Sequence, residues 1–281
     1  MEFGVNVKKV ASPAPALTPH STLQTKQTML YNADLHVHSC LSPCASLDMA
    51  PSAIVARALE VGINCLALTD HNSAGNCAAT ANLCKRNGIQ FFPGMEVTTA
   101  EEAHIVCLFG DTGAAMELGR IIYDALPHIE NNPEKFGDQV LLNEDDEVEG
   151  FEERYLGVAC GLTIDQLRHR VFALGGLFIA AHADKPVFSV VSQLGFLSGE
   201  FSAVELSRAG AARESSLKLV EGYTAVTASD SHYLHTLGSA CVEYEAAAGA
   251  GIEGYRQALL ERRVKLSIFS DAFRTAPGQR G

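Results

Sequence analysis

Short apolar runs alternate with helix-like stretches along the chain from about residue 31 onwards. The apolar runs are typical of buried strands and predict strands at 31–37, 65–69, 91–97, 105–109, 177–181, 203–206, 225–229 and 264–269. The stretches between them predict helices at 50–61, 77–87, 114–126, 164–174, 213–221 and 252–262. Glycines follow four of these helices, as they commonly follow a helix C-terminus: Gly62, Gly88, Gly175 and Gly222.

The regular alternation of strand and helix predicts an α/β fold with parallel strands and crossover helices. Seven or eight such units in one domain favour a closed barrel over an open sheet. We expect the barrel at 30–270, followed by a tail at 271–281. Residues 1–29 are rich in Pro, Ala, Ser, Thr and Gln with little apolar period, which predicts a flexible leader. Met29 immediately precedes the first strand and is an alternative start.

One segment, 127–160, interrupts the alternation before the fifth strand because it is acidic and irregular. It is too long for a simple connecting loop. Two interpretations stay open, a solvated insertion, which the charge pattern favours, and a lid over a pocket.

Composition narrows the class of protein. Hydrophobic residues make up 47% of the 281 positions, which excludes a mostly disordered chain. No apolar run reaches the roughly 18 residues that span a bilayer, so no membrane contact is expected. The net charge of −12 argues against a nucleic-acid-coating surface, although a nucleotide is still an acceptable substrate. Eight Cys without a CxxC pair, and the lack of a signal peptide, favour a cytoplasmic protein with free thiols.

Histidines and carboxylates stand at or near the ends of nearly all the predicted strands. They are His36, His38, His71, Glu96, His104, His182, Asp230 and His232. In a parallel βα barrel the C-terminal strand ends meet at one mouth, so these side chains are expected to converge. Imidazole and carboxylate together suit Zn, Mn or Fe, and a carboxylate can bridge two ions. Each motif alone is weak, but together they predict a multinuclear metal site that activates water.

Four short motifs occur in order: HVH at 36–38, TDH at 69–71, the Glu of GMEVTT, and DSH at 230–232. Their combination resembles the polymerase and histidinol phosphatase (PHP) family of metal-dependent phosphoesterases, over about residues 30–269. The resemblance implies a distorted (β/α)7 barrel with the acidic insertion before its fifth strand, and two or three Mn, Fe or Zn ions. It implies three ligand sets: His36, His38, Glu96 and Asp230 for the first metal; Glu96, His104 and His182 for the second; and His71 with His232 for the third.

The third set departs from the family pattern, which commonly has an Asp or His seven or eight residues after the first His. Pro43 and Cys44 occupy those positions here. Cys44 is an expected ligand if a metal lowers the pKa of its thiol, and an ordinary thiol otherwise. Asp48 is a nearby substitute, so a thiolate, a carboxylate and the lack of a third metal all stay open.

Four further residues are candidates for supporting roles. Asp34 and Asp70 adjoin ligating histidines and are expected to orient imidazoles, while Asp70 could instead manage a leaving-group proton. Lys185 and Arg208 follow the fifth and sixth strands, where they could hold phosphate oxygens or be simple surface cations.

We therefore expect a metal-dependent hydrolase of a small phosphomonoester, in which a hydroxide held by the metals attacks phosphorus. A diester is disfavoured because the chain is short, acidic and without an evident nucleic-acid-binding tract. Two alternatives stay open: an amidohydrolase-like C–N hydrolase, and a metal-stabilised regulatory or binding module without turnover. The oligomeric state is left open.

Overall fold

The computed structural model describes residue 1 and residues 27–269. The predicted tail and nearly all of the predicted leader lie outside these residues. The strands are β1 (Thr28–Asp34), β2 (Cys65–Leu68), β3 (Gln90–Thr98), β4 (His104–Leu108), β5 (Val140–Leu142), β6 (Val148–Phe151), β7 (Leu177–Ala180), β8 (Ala203–Leu206), β9 (Ala225–Thr227), β10 (Ala240–Ala247) and β11 (Val264–Ile268). The helices are α1 (Pro51–Glu60), α2 (Cys77–Arg86), α3 (Thr112–Ala125), α4 (Pro133–Phe136), α5 (Ile164–Ala173), α6 (Val190–Leu194), α7 (Arg208–Ala211), α8 (Glu214–Leu219) and α9 (Gly251–Leu260).

Nine strands form one sheet in the order β11-β10-β1-β2-β3-β4-β7-β8-β9. Seven of them, from β1 to β9 in that order, curl into a barrel. A parallel bridge between Val37 and Ser231, just beyond β1 and β9, joins the two ends, and His38 N–H donates to Ser231 O at 2.9 Å. The expected distorted barrel of seven strands is therefore confirmed, with β10 and β11 added antiparallel outside β1.

One barrel strand runs against the expected direction. β4 is antiparallel to both β3 and β7, because only a short turn at 99–103 separates it from β3 and no crossover helix reverses the chain. His104, the first residue of β4, consequently pairs with Thr98 at the end of β3. The reversed strand thus places its first residue at the same mouth as the last residues of its parallel neighbours.

The barrel interior is apolar at one end and polar at the other. Phe92 near the start of β3 belongs to an inner apolar cluster, and Glu96 faces the same way because strand side chains alternate with a period of two. Tyr255 of α9 stacks on Phe92 at a centroid separation of 6.0 Å and so covers the apolar end. Helices pack outside through residues such as Ile54 and Leu118. The carboxyl ends of the parallel strands are left open for chemistry.

The acidic segment at 127–160 has regular structure of its own. It contains α4 and the β5–β6 hairpin. Gln139 is fully buried, its amide donates to Glu152 O and Arg154 O, and its side-chain oxygen accepts from Leu156 N–H. Val140 also donates to a carbonyl of the loop that follows β1. These bonds fix the segment beside the mouth of the barrel.

Replacing Gln139 with Ala is expected to lower the free energy of unfolding by about 2–3 kcal/mol, because two carbonyls and one N–H lose buried partners. Urea unfolding of the metal-free protein measures this. The exposed Gln193 serves as the matched control and should change by less than about 0.5 kcal/mol when replaced with Ala. Equal losses in the two variants would show that Gln139 does not hold the segment.

Among the described residues, none of the helices has both the length and the apolar character that crossing a bilayer demands.

Candidate metal centre

All eight predicted strand-end side chains meet around Glu96, whose carboxylate is 1% exposed. Five imidazole nitrogens lie within 3.4 Å of its two oxygens. They are His104 Nδ1 (2.9 Å), His182 Nε2 (3.1 Å) and His36 Nε2 (3.4 Å) at Oε1, with His71 Nδ1 (3.2 Å) and His38 Nε2 (3.4 Å) at Oε2. The two oxygens therefore face different imidazoles, and this shared carboxylate could be a ligand to more than one ion.

The first group of possible ligands is His36, His38, Glu96 and Asp230, whose ligand atoms lie within 4.8 Å of one another. Asp230 Oδ1 is 3.4 Å from the Nε2 atoms of both histidines. This is the set that the sequence resemblance implied for a first metal. His-x-His can supply both imidazoles because the chain after β1 is still extended enough to direct them to one side.

The other two groups differ in part from the expected sets. One is His71, Glu96 and His104, and the other is His38, His71 and His232. His182, which was expected beside His104, contacts Glu96 at 3.1 Å, and its ring centroid is 5.4 Å from that of His104. His71 therefore belongs to two groups, one with Glu96 and His104 and one with His38 and His232, whereas the resemblance implied it for the third set alone.

Several imidazole nitrogens at this centre are buried without a hydrogen-bond partner among the described residues. They are His182 Nδ1 and four nitrogens that face carboxylates, namely His36 Nε2, His38 Nε2, His71 Nδ1 and His104 Nδ1. Leaving a buried polar atom unpaired costs free energy, and all four nitrogens face carboxylate oxygens at distances that leave room for shared ligation. The donor set of imidazole and carboxylate fits divalent Zn, Mn or Fe.

The electrostatics of the centre favour the metal-binding form of three side chains. Burial lowers the pKa of His71 well below its usual value and lowers the pKa of His232 to about 4, so both imidazoles are neutral near pH 7. Burial opposes ionisation of Glu96, but His104 and its neighbours hold the pKa of that carboxyl well below its usual range. Neutral imidazole and ionised carboxylate are the forms that bind metal. At His36 and His38 burial opposes protonation, but neighbouring carboxylates raise the pKa of both imidazoles, so a metal bound there would displace protons.

Glu205 supports the centre and was missed by the sequence analysis. Its carboxylate is 3.0 and 3.1 Å from His36 Nδ1 and accepts from His182 N–H at 3.2 Å. It is 3% exposed and lies on β8 two residues after the inward-facing Ala203. An acidic residue inside the apolar run AVEL was the available signal, because a buried carboxylate needs partners.

The two predicted supporting aspartates do not contact imidazoles directly. Asp70 is 1% exposed and accepts from Ser39 N–H, Ser39 Oγ and Ser42 Oγ, each at 2.6 Å. Ser42 Oγ lies 3.1 Å from His38 Nδ1, so Asp70 acts on His38 through Ser42. Burial raises the pKa of Asp70. Its predicted alternative role, handling a leaving-group proton, stays a prediction.

Asp34 does not contact an imidazole. It connects the two ends of the barrel. It is fully buried and accepts from Ser229 N–H at 3.0 Å and Gly238 N–H at 2.8 Å. Burial raises the pKa of its carboxyl to about 6. Its contacts connect the end of β1 to the segment after β9 that carries Asp230.

Two predicted cations lie on elements that reach the mouth. Lys185 Nζ donates to Asp230 Oδ2 at 2.5 Å, and its side chain is 37% exposed. Burial alone would lower the pKa of Lys185, but Asp230 raises it, so the amine is charged. Arg208 is half-buried and begins α7, immediately after the strand that carries Glu205.

Neither predicted substitute ligand joins a metal group. Cys44 and Asp48 are exposed and belong to none of the three groups found among residues 27–269. With no ion bound, partial desolvation of the Cys44 sulfur, with Glu96 nearby, raises the pKa of its thiol to about 12.

Replacing Cys44 with Ala is therefore expected to leave the number of bound metal ions unchanged. The measurement is elemental analysis of protein reconstituted with Mn and freed of excess ion. His71→Ala is the positive control and should bind less metal, because His71 belongs to two of the three groups. Loss of one bound ion in Cys44→Ala would instead show that the Cys44 thiolate is a metal ligand.

Comparisons with known proteins agree with this geometry. Residues 34–159 match the family model described as the PHP domain. Over 79 residues the chain is 38% identical to a 3′,5′-nucleoside bisphosphate phosphatase of Chromobacterium violaceum, covering 28% of this chain and 27% of that protein. Over 88 residues it is 32% identical to the 5′-3′ exoribonuclease Rnm of Escherichia coli, covering 31% and 28%. The matches thus span little more than a quarter of these relatives' length.

Solved structures share the fold at low sequence identity. The lesion-specific endonuclease PfuEndoQ of Pyrococcus furiosus superposes with a TM-score of 0.58 at 18% identity, covering 85% of this chain and 58% of that chain. PsfC of Pseudomonas syringae superposes with a TM-score of 0.50 at 14% identity, covering 88% and 93%. The solved structures share the fold, and the family model identifies a PHP domain within residues 34–159 of this chain.

Proposed function

We propose that the protein is a metal-dependent phosphoesterase that hydrolyses a small phosphomonoester. The observation that carries this proposal is the carboxylate of Glu96 with imidazoles at both of its oxygens, at the open mouth of the barrel. That arrangement suits two adjacent divalent ions, which would activate water and neutralise the charge of a phosphoryl group.

The chain's own residues would divide the remaining work. Glu96 and Asp230 hold the imidazoles at fixed distances and supply negative charge that favours cations. Lys185 bonds Asp230 while more than a third of its side chain is exposed, so its ammonium can also approach a phosphate oxygen. Arg208, at the start of α7, is a second candidate for that contact.

Nucleoside bisphosphates are the first substrates to examine, because one relative is a phosphatase of that class. The net charge of −12 disfavours long nucleic acids, which would need a basic track along the surface. A second relative is an exoribonuclease, so an oligonucleotide with a terminal phosphate belongs in the same panel.

The test is phosphate release by protein that has been stripped and reloaded separately with Mn, Fe or Zn. The panel contains sugar phosphates, nucleoside mono- and bisphosphates, an oligonucleotide and a generic diester. We expect release that depends on metal and falls more than about 100-fold in His36→Ala, because this variant removes a candidate ligand. The matched control is His169→Ala, which changes an exposed histidine on α5 and should retain full activity.

Two outcomes would overturn the proposal. The first is that no substrate in the panel releases phosphate although metal is bound. Cleavage of amides would then favour a C–N hydrolase, and a metal that only raises Tm would favour a regulatory module. Full release by a folded His36→Ala protein would remove the assigned role of the centre.

A further inference from the structure

The connection from β7 to α6, residues 181–189, carries an aromatic side chain to the edge of the metal centre. The ring of Phe188 stacks on the ring of His104 with a centroid separation of 4.9 Å and an interplanar angle of 16°. The backbone fastens this contact, because His104 N–H donates to Phe188 O at 2.8 Å. The same connection includes His182 and Lys185, so one short segment brings an imidazole, an ammonium group and an aromatic ring to the mouth.

Phe188 is held in a conformation that a bulky residue rarely adopts. Its φ is +55°, in the left-handed region, and His182 at the other end of the connection has φ +29°. Lys185 N–H donates to His182 O at 2.9 Å, and Ser189 Oγ donates to Lys185 O at 2.8 Å. Such strain persists only where the surroundings hold it, and it concentrates at binding sites.

The strained ring is also left exposed. Phe188 is 44% exposed although His104 covers part of its ring. A phenylalanine placed only to fill space would gain by burial, since its large apolar surface is the main source of its stabilising effect. Here a strained backbone instead presents an open aromatic surface beside a candidate metal ligand.

We propose that Phe188 is a stacking platform for a planar aromatic group of the substrate, in particular a nucleobase. The phosphate would lie at the Glu96 centre while the base lies on the outer face of the ring, and this geometry rests on the proposed function. Aromatic rings stack at centroid separations of roughly 4.5–7 Å, the range in which Phe188 already meets His104. Stacking accepts any base because every base has a π-face.

Phe188 is accordingly a specificity-determining residue that selects base-bearing phosphates over plain sugar phosphates. The competing role is purely local, with Phe188 fixing the orientation of His104. The two roles differ in one measurable respect. A platform affects only substrates that carry a base, whereas a residue acting through His104 affects every substrate alike.

The experiment compares adenosine 3′,5′-bisphosphate with the corresponding methyl riboside bisphosphate, which has a methoxy group in place of the base, using the Mn-loaded full chain. Phe188→Leu is expected to raise KM for the nucleotide about tenfold, with kcat unchanged, because a base loses its stacking partner. The loss for the nucleotide should exceed the loss for the baseless compound by about tenfold, and the baseless compound reports any effect of the variant on His104. The matched control is Phe196→Leu, which changes a 59% exposed phenylalanine just beyond α6 and should leave both substrates unaffected.

Equal effects of Phe188→Leu on the two substrates would overturn the proposal, as would an unaltered protein that does not prefer the nucleotide. If neither compound is hydrolysed, the proposed phosphatase function fails and the platform is judged by binding alone. Calorimetric titration of the Mn-loaded protein with adenosine 5′-monophosphate then decides. Binding weakened in Phe188→Leu but not in Phe196→Leu upholds the platform, and no binding by the unaltered protein overturns it.

Discussion

Replacing Glu96 with Gln is expected to reduce metal-dependent turnover by about 1,000-fold or more and to lower the number of bound ions, because one carboxylate serves both sides of the centre. Glu96 belongs to two groups of possible ligands, one with His36, His38 and Asp230 and the other with His71 and His104. The amide keeps the shape but removes the negative charge and presents an NH2 group where a ligand oxygen is needed. Asp230, the other carboxylate of the centre, pairs with His36, His38 and His232, and among the described residues it has no ion pair with His71 or His104.

The measurement pairs elemental analysis with phosphate release on the same Glu96→Gln preparation. Glu214→Gln is the control, since that glutamate is largely exposed on α8 and forms an ion pair with Lys218 of the same helix. Retention of two ions and ordinary turnover by Glu96→Gln would contradict a bridging role for this carboxylate.

Replacing Glu205 with Ala should weaken metal binding by roughly 10–100-fold, the usual effect of removing the carboxylate that orients a ligating histidine. Glu205 accepts from His36 Nδ1, which directs Nε2 of that ring towards Glu96 and Asp230. Without this acceptor the buried ring can turn, and His182 also loses a backbone hydrogen bond. Affinity would be measured by competition with a metal-binding indicator.

Glu205→Gln separates orientation from charge, because its amide oxygen can still accept from the imidazole. It is expected to bind metal better than Glu205→Ala and worse than the unaltered protein. Glu221→Ala, which changes an exposed residue after α8, is the control. If both Glu205 variants bound metal normally, His36 would be held by its backbone and packing alone.

Strand and helix patterning predicted the barrel because its seven strands are short and apolar and, except between β3 and β4, helices separate them along the chain. The positions of His36, Glu96 and His182 near strand ends were sufficient to predict one shared mouth. The direction of β4 was not predicted, because periodicity reveals a strand but not its partner. His104 nevertheless reaches the mouth, since reversal puts the start of β4 at that end.

Other features depend on contacts that a single sequence does not display. β10 was missed because its Ala and Glu residues favour helix, and pairing with β1 and β11 on its two sides overrides that preference. Glu205 could be seen as an acidic residue in an apolar run, but its partner His36 is 169 positions away. The hydrogen bonds of the Gln139 side chain likewise depend on distant partners, because its amide donates to the carbonyls of Glu152 and Arg154.

The most direct test of the central claim is a titration of the stripped protein with Mn, in which bound ions and phosphate release from a nucleoside bisphosphate are followed together. A centre organised around Glu96 predicts no release without metal and full release only after a second ion has bound to each chain. Release from the metal-free protein, or full occupancy with no release of phosphate from any phosphomonoester, would contradict the account.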